Sequence, residues 1–181
     1  MGPLPLLLVG LVIYALTRKG GFMSQLPPLS PRKLTAAEEK RIGKLVPEVQ
    51  IKVRELIVKT AANGVQLFVG STDRTPAEQL EKIRQGRSGA TQSWHLAARA
   101  ADIYVIDPKT GQPDTSGKLT ELYTVMGRTA ESLGFKWLGT GLIKTKLASY
   151  TDPNHVEFRG GMTWASAMAS IGRSPTPVRV A

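Results

Sequence analysis

The chain contains no cysteine. That excludes a disulfide framework and any thiolate metal site, so the fold must stand on its hydrophobic core, in a reducing or an oxidising compartment alike. Imidazole is nearly as scarce: His95 and His155 are the only histidines among 181 residues. Acidic side chains are outnumbered, 14 against 24 lysines and arginines, which leaves a formal charge of +10 and an isoelectric point near 10.1. A surplus of this kind attracts polyanions (nucleic acid, anionic lipid headgroups, the acidic polymers of a bacterial envelope) without choosing among them. Aromatic residues are few, at 6%, and are not interleaved with the basic ones as a single-strand binder requires, so nucleic acid is not an expected partner. There is no low-complexity tract and no internal repeat.

Long apolar runs are also missing. Pro3 to Leu16 is apolar and is followed by Arg18 and Lys19, but it falls short of the roughly 20 residues that comfortably span a bilayer. It lacks the positive n-region and small-residue cleavage site of a secretory signal. Residues 1–19 are read as a hydrophobic N-terminal helix, an anchor in contact with a membrane through residues 3–16 or an attachment element for virion proteins; a helix buried against protein is the alternative. The flanking charges favour keeping the Arg18/Lys19 side in the cytoplasm. Residues 20–33, with Gly-Gly and Leu-Pro-Pro-Leu-Ser-Pro, read as a linker; 34–160 as the folded domain; 161–181 as a weakly amphipathic C-terminal extension without an assigned role.

Within the domain, Thr35 and Glu38 form a capping-box pattern that opens a helix. Pro47 starts a second, carrying Val53, Leu56 and Ile57 at helical spacing and stopped by Asn63-Gly64. Val65–Val69 reads as a strand, Ala77–Arg84 as a helix behind Thr75-Pro76, and Ala100–Ile106 as a strand ending in a turn region at Asp107–Gly117. Leu119–Leu133 reads as a helix stopped by Gly134, with short strands at Phe135–Leu138 and Val156–Phe158. Helices and strands mix without regular alternation, so the expected class is α+β.

The two histidines stand in distinctive surroundings. Ser93-Trp94-His95 precedes Asp102 by a short interval at the entry to a predicted strand, and Asp152-Pro153-Asn154-His155-Val156-Glu157 holds the second imidazole. Two imidazoles and one carboxylate are a sufficient ligand set for a catalytic zinc ion, because three protein ligands leave a fourth position for water. Such an ion lowers the pKa of water to roughly 7 and polarises a carbonyl, the two things amide hydrolysis lacks at neutral pH. A carboxylate is still needed to move the proton. Asp152 is the candidate, and Glu157, two residues along a strand from His155, is its rival. A lone histidine is more often a surface or core residue than a ligand, and Asp-Pro-Asn alone is simply a turn.

At these residues the chain resembles the D-alanyl-D-alanine carboxypeptidase (VanY-like) family of zinc peptidases, and within it the phage L-alanyl-D-glutamate peptidases. The family pattern Ser-x-His-x-x-Gly-x-Ala-x-Asp is matched by Ser93, His95, Ala100 and Asp102, and Asp-x-x-His-x-Glu by Asp152, His155 and Glu157. Leu45-Val46-Pro47, Arg74-Thr75-Pro76-Ala77-Glu78-Gln79, Gln85-Gly86-Arg87-Ser88 and Glu131 to Trp137 resemble further family segments, in order, over about Leu45 to Phe158. The resemblance implies a small DD-peptidase/hedgehog-like domain with a short antiparallel sheet and flanking helices. It implies one Zn2+ per chain on His95, Asp102 and His155, and Asp152 as general base. It places Arg74 on a substrate carboxylate or oxyanion, with Ser93 and Trp94 beside the substrate. Two departures stand out: Ala98 replaces the motif's glycine, and Trp137-Leu138-Gly139-Thr140-Gly141 replaces a Trp-Gly-Gly.

The expected function is therefore that of a hydrolase, a metallopeptidase that degrades cell wall by cutting peptidoglycan stem peptides between L-alanine and D-glutamate, in the manner of a bacteriophage endolysin. A D,D-carboxypeptidase releasing terminal D-alanine, and a virion structural protein carrying a peptidase-like fold, are the alternatives. The expected location is membrane- or virion-associated, acting on the wall or periplasm.

Overall fold

The computed structural model describes residues 26–139 and 152–179. The hydrophobic segment 1–19, the first part of the linker, and Thr140 and Gly141 of the divergent loop lie outside the described residues. Among those described, five helices and four strands follow in the order α1 (Ala36–Ile42), α2 (Pro47–Ala62), β1 (Leu67–Ser71), α3 (Pro76–Arg84), β2 (Ala100–Val105), α4 (Thr120–Ser132), β3 (Lys136–Trp137), β4 (His155–Glu157) and α5 (Trp164–Ser170). The class is α+β, with one antiparallel sheet in the order β1-β2-β4-β3. No helix among the described residues is long and apolar enough to cross a membrane.

Local chemistry accounts for the helix ends. Thr35 and Thr75 each accept from the N3 backbone N–H while Glu38 and Glu78 reach back to the cap, two complete capping boxes. Pro47 and Pro76 occupy first-turn positions, where no amide partner is lost. In α2 the buried Val49, Val53, Leu56, Ile57 and Ala61 form one stripe at three- and four-residue spacing, which seats the helix on the sheet beside α4.

The strands sort their side chains by alternation. Ala101, Ile103 and Val105 of β2 and Val156 of β4 enter the main core with α2 and α4. Asp102, Tyr104, His155 and Glu157 therefore project from the opposite face. Against that face stands a second, smaller cluster of Trp94, Leu96, Ala97, Ala100, Trp164, Ala167 and Met168. The C-terminal residues thus pack on the domain: Trp164 Nε1 donates to the Ser93 carbonyl at 3.1 Å, and Arg173 clasps Asp73 at 2.7 and 3.1 Å and the Leu96 carbonyl at 2.6 Å.

Glu38 does more than cap. Its side chain is fully buried, paired with Arg32 and accepting from the Val69 N–H at 3.0 Å, so it joins the 26–35 segment, α1 and β1. Burial opposes its ionisation, but the Arg32 guanidinium, the Thr35 and Val69 amides and the Thr35 hydroxyl outweigh that and hold its pKa down at about 2, against an ordinary 4.5. A depressed folded-state pKa stabilises above the unfolded value, and the stabilisation is lost as pH falls from about 4.5 through 2. The expected loss over that window is about 3 kcal/mol. Urea midpoints measured from pH 6 to pH 2 check it, and Glu38→Gln should flatten the acid limb.

Trp137 locks the other end of the sheet. Its indole is buried between Gly127 of α4 and Gly139, where an added Cβ would lie 2.1 Å from the ring in either case. Its Nε1 donates to the Pro153 carbonyl at 2.8 Å, tying β3 to the turn before His155. Gly127→Ala forces the ring out of a filled core and is expected to cost about 3 kcal/mol, read as a lowered urea midpoint.

Candidate metal centre

His95 sits on a tight turn after α3. Leu96 and Ala97 donate to the Ser93 and Trp94 carbonyls, and the turn closes at Ala98 with φ +53°, the one positive φ of a non-glycine among the described residues. Ala98 stands where the pattern resembled above has glycine, and it adopts the left-handed conformation that glycine takes most readily. The turn is over-determined: the Val46 amide donates to the Ala98 carbonyl at 3.1 Å, and Arg99 donates to the Trp94 carbonyl at 3.1 Å.

The other two candidates come from paired strands. In the β2–β4 register Asp102 lies opposite His155, on the face away from the main core. Asp102 Oδ1 is 3.0 Å from His95 Nε2 and 3.1 Å from His155 Nδ1, and the two rings meet edge-on with centroids 5.0 Å apart. The three side chains offer ligand atoms all within 4.8 Å of one another.

The outer ring nitrogens decide what the inner ones can do. His95 Nδ1 contacts the Thr72 carbonyl, which can only accept, so this nitrogen carries the proton and Nε2 presents a lone pair in the neutral ring. His155 Nε2 faces Glu157 Oε2 at 3.5 Å, leaving Nδ1 turned toward Asp102. Two lone pairs and one carboxylate oxygen then converge with no proton between them, a donor set that wants a cation. Carbonyl and carboxylate partners on the outer nitrogens are also how proteins orient metal-binding imidazoles. The residues fit a zinc ion.

The electrostatics agree. Burial opposes charge on both Asp102 and His155, yet the charge and hydrogen bonds of the two imidazoles hold the Asp102 carboxyl well below the usual range. Hydrogen bonds to Asp102 and Glu157 raise His155 to about 9 in spite of burial. Without a metal, the proton held on His155 supplies positive charge beside Asp102.

The remaining candidates surround the triad. Arg74, Ser93, Trp94, Asp152 and Glu157 line one cavity of about 540 Å³ together with His95, Asp102 and His155. Arg74 is buried; its Nη1 donates to Gln79 Oε1 at 2.6 Å and its Nη2 lies 3.4 Å from Asp102 Oδ2. Ser93 Oγ accepts a long bond from the His95 amide, and Trp94 packs in the smaller cluster with the Arg159 guanidinium 5.4 Å above its ring. Glu157 is buried behind His155 and paired with Arg159 at 2.5 Å, which together with His155 keeps its pKa lowered against the effect of burial. Arg87 is exposed at the cavity rim and donates from its guanidinium to Gln85 Oε1 at 3.4 Å.

Four participants escaped the sequence reading. Thr72 orients His95 through a backbone carbonyl, which leaves no trace in residue type. Gln79 holds Arg74 and bonds Ser88 Oγ and the Ala90 carbonyl, and it stands inside a matched segment. Lys82, one turn further on α3, and Tyr104, two residues beyond Asp102 on β2, also line the cavity, and helical and strand periodicity reach both of them.

No family model matches the chain. It is 26% identical over 117 residues to the L-alanyl-D-glutamate peptidase of Listeria phage A118, a match covering 65% of this chain and 39% of that protein, so it spans about two fifths of that relative's length. Among solved structures, the L-Ala D-Glu endopeptidase ChiX of Serratia marcescens superposes with a TM-score of 0.50 at 22% identity, covering 69% of this chain and 88% of that one. VanYB in complex with D-alanine-D-alanine gives 0.43 at 15% identity, covering 72% and 80%.

Proposed function

We propose that this chain, whose resemblance to the VanY-like peptidases rests on both sequence and fold, is a zinc-dependent peptidase acting on peptidoglycan stem peptides. Its preferred bond is the one between L-alanine and D-glutamate, as in phage endolysins. The observation that carries the reading is the convergence of His95 Nε2, His155 Nδ1 and Asp102 Oδ1 on the floor of a cavity that Asp152 and Arg74 also line. Similarity to the phage peptidase supports the choice of bond.

His95, Asp102 and His155 would hold the metal, which when bound supplies an acidified water and an electrophile for the scissile carbonyl. The chain's own residues do the rest. Asp152 takes the proton of the attacking water on its carboxylate and passes it to the departing amine nitrogen. Two backbone bonds support this role: the Asp152 amide donates to the Leu138 carbonyl and the Asp152 carbonyl accepts from the His155 amide, both at 3.2 Å. Arg74, braced by Gln79, presents a permanent positive charge to oxyanion or carboxylate. The charge of +10 favours docking on an anionic wall, an attraction that salt weakens. Residues 3–16 serve in this proposal as the membrane or virion attachment.

Mass spectrometry of purified peptidoglycan after digestion tests the reading, with chelator and His155→Ala as controls. New L-alanine and D-glutamate termini, absent in both controls, are expected. Released D-alanine would replace the endopeptidase by a carboxypeptidase, and no product from any wall type would remove the catalytic reading.

A further inference from the structure

Among the described residues three cations line the metal cavity, and only one of them, Arg74, has an ion-pair partner. Arg74 is held by Gln79 and Asp102. Lys82 and Arg87 form no ion pair among the described residues, and Arg87 has one long bond to Gln85. The end of α3 brings the two together. Gly86, at φ +67°, turns the chain back so that the Arg87 amide donates to the Lys82 carbonyl at 2.9 Å.

These two residues also wall a second cavity, again of about 540 Å³, that continues past Tyr104 to Gln112 and Thr115. Lys82, Arg87, Asp102 and Tyr104 are common to both, so the two cavities form one groove with the metal triad in one part of its floor. A bulge in β1 makes room for it. The register steps from Val69 opposite Ile103 to Ser71 opposite Asp102, and Gly70 between them leaves space for the Tyr104 ring, which a Cβ there would approach to 2.3 Å. A groove that runs on beyond the reacting centre suits a chain that continues past the scissile bond, which a terminal D-alanine does not need.

A half-buried ammonium among like charges is costly without an anion. The Lys82 pKa is pushed down by burial first and then by Arg74 and Arg87, with Asp102 and Asp152 opposing. Both carboxylates are close enough to be felt at Lys82, but among the described residues neither is in an ion pair with it, and Asp102 is engaged by His95, His155 and Arg74. Lys82 and Arg87 are thus left at the cavity wall without an acidic partner among the described residues.

We infer that Lys82 and Arg87 form a carboxylate subsite in this groove, which seats the free carboxylate of an acidic substrate residue next to the scissile bond. The choice of bond rests on the function proposed above; the subsite itself does not. Arg and Lys together suit a carboxylate, one offering a planar fork and the other a mobile point charge.

Two synthetic stem peptides test it, identical except that the glutamyl carboxylate beside the scissile nitrogen is free in one and a carboxamide in the other. Their binding is measured by calorimetry on the zinc-loaded full chain carrying Asp152→Asn, in which turnover is expected to be slowed about 10²-fold or more. The free carboxylate is expected to bind roughly tenfold or more tightly. Lys82→Met and Arg87→Gln should each reduce that ratio severalfold, and together bring it to about one, while Lys82→Arg retains it and the amidated peptide binds as before. An unchanged ratio in the double variant, or no preference in the parent, overturns the subsite. If the unmutated protein cleaves neither peptide nor wall while a Lys82-dependent preference persists, the peptidase reading fails and the subsite stands. Cleavage with a preference indifferent to both cations gives the reverse.

Discussion

Asp102→Asn is expected to bind zinc at least about a hundredfold more weakly than the parent, and to lose wall hydrolysis with it. The substitution changes almost nothing sterically, and its effect follows from proton counting. Asp102 Oδ1 faces the ring nitrogens of His95 and His155 at 3.0 and 3.1 Å, and Oδ2 faces Arg74 at 3.4 Å. With a carboxylate the three inner atoms are all electron-pair donors and require a cation. An amide reverses the logic: its NH2 group donates to both lone pairs while its oxygen still accepts from Arg74, and the network closes without an ion. The metal-free variant should therefore fold, with a melting temperature close to that of the metal-free parent. Zinc at a thousandfold excess over its dissociation constant should stabilise the parent by about 4 kcal/mol, or roughly 10 °C in a chain of this size. Thermal scans with and without zinc read this directly, and equal stabilisation of both proteins would place the metal elsewhere.

What the sequence revealed and what it hid divide along the range of the interactions. The caps at Thr35 and Thr75 and the stop at Asn63-Gly64 depend on residues within one helical turn, and they stand where local chemistry puts them. The strand expected at Val65–Val69 lies at Leu67–Ser71, because its start is set by pairing Leu67 with Val105, far away in sequence. The ligand candidates were legible as residue types in a pattern, but the register that sets Asp102 opposite His155 is non-local, and so is the Thr72 carbonyl behind His95. The C-terminal extension shows the limit most clearly. No periodicity announces that Arg173 will reach Asp73 and the Leu96 carbonyl, yet this contact braces the segments that carry Arg74 and His95. Lys82 and Tyr104 carry no motif at all, and only the fold brings them to one groove.

Asp152→Asn should separate chemistry from metal binding. The ligand triad does not include Asp152, and the turn that carries it is pinned by backbone bonds an amide side chain leaves intact: Asp152 to Leu138, His155 to Asp152, and Ile103 to Asn154 at 2.7 Å. Zinc content is expected to remain at one ion per chain, as its stabilising effect should. What disappears is the group proposed to accept the water's proton, so kcat should fall about 10²- to 10⁴-fold with little change in KM. Glu157, the rival base, is predicted to behave in the opposite way. Its carboxylate is buried behind His155 and held by Arg159, positions suited to orienting an imidazole rather than to exchanging protons with substrate. Glu157→Gln should weaken zinc binding roughly 10- to 100-fold, while kcat at saturating zinc stays within about tenfold of the parent. Measuring kcat and zinc affinity for both variants crosses the two roles. If Glu157→Gln lost the turnover and Asp152→Asn kept it, the base would be Glu157, and the Asp152 turn would serve only to set the position of His155.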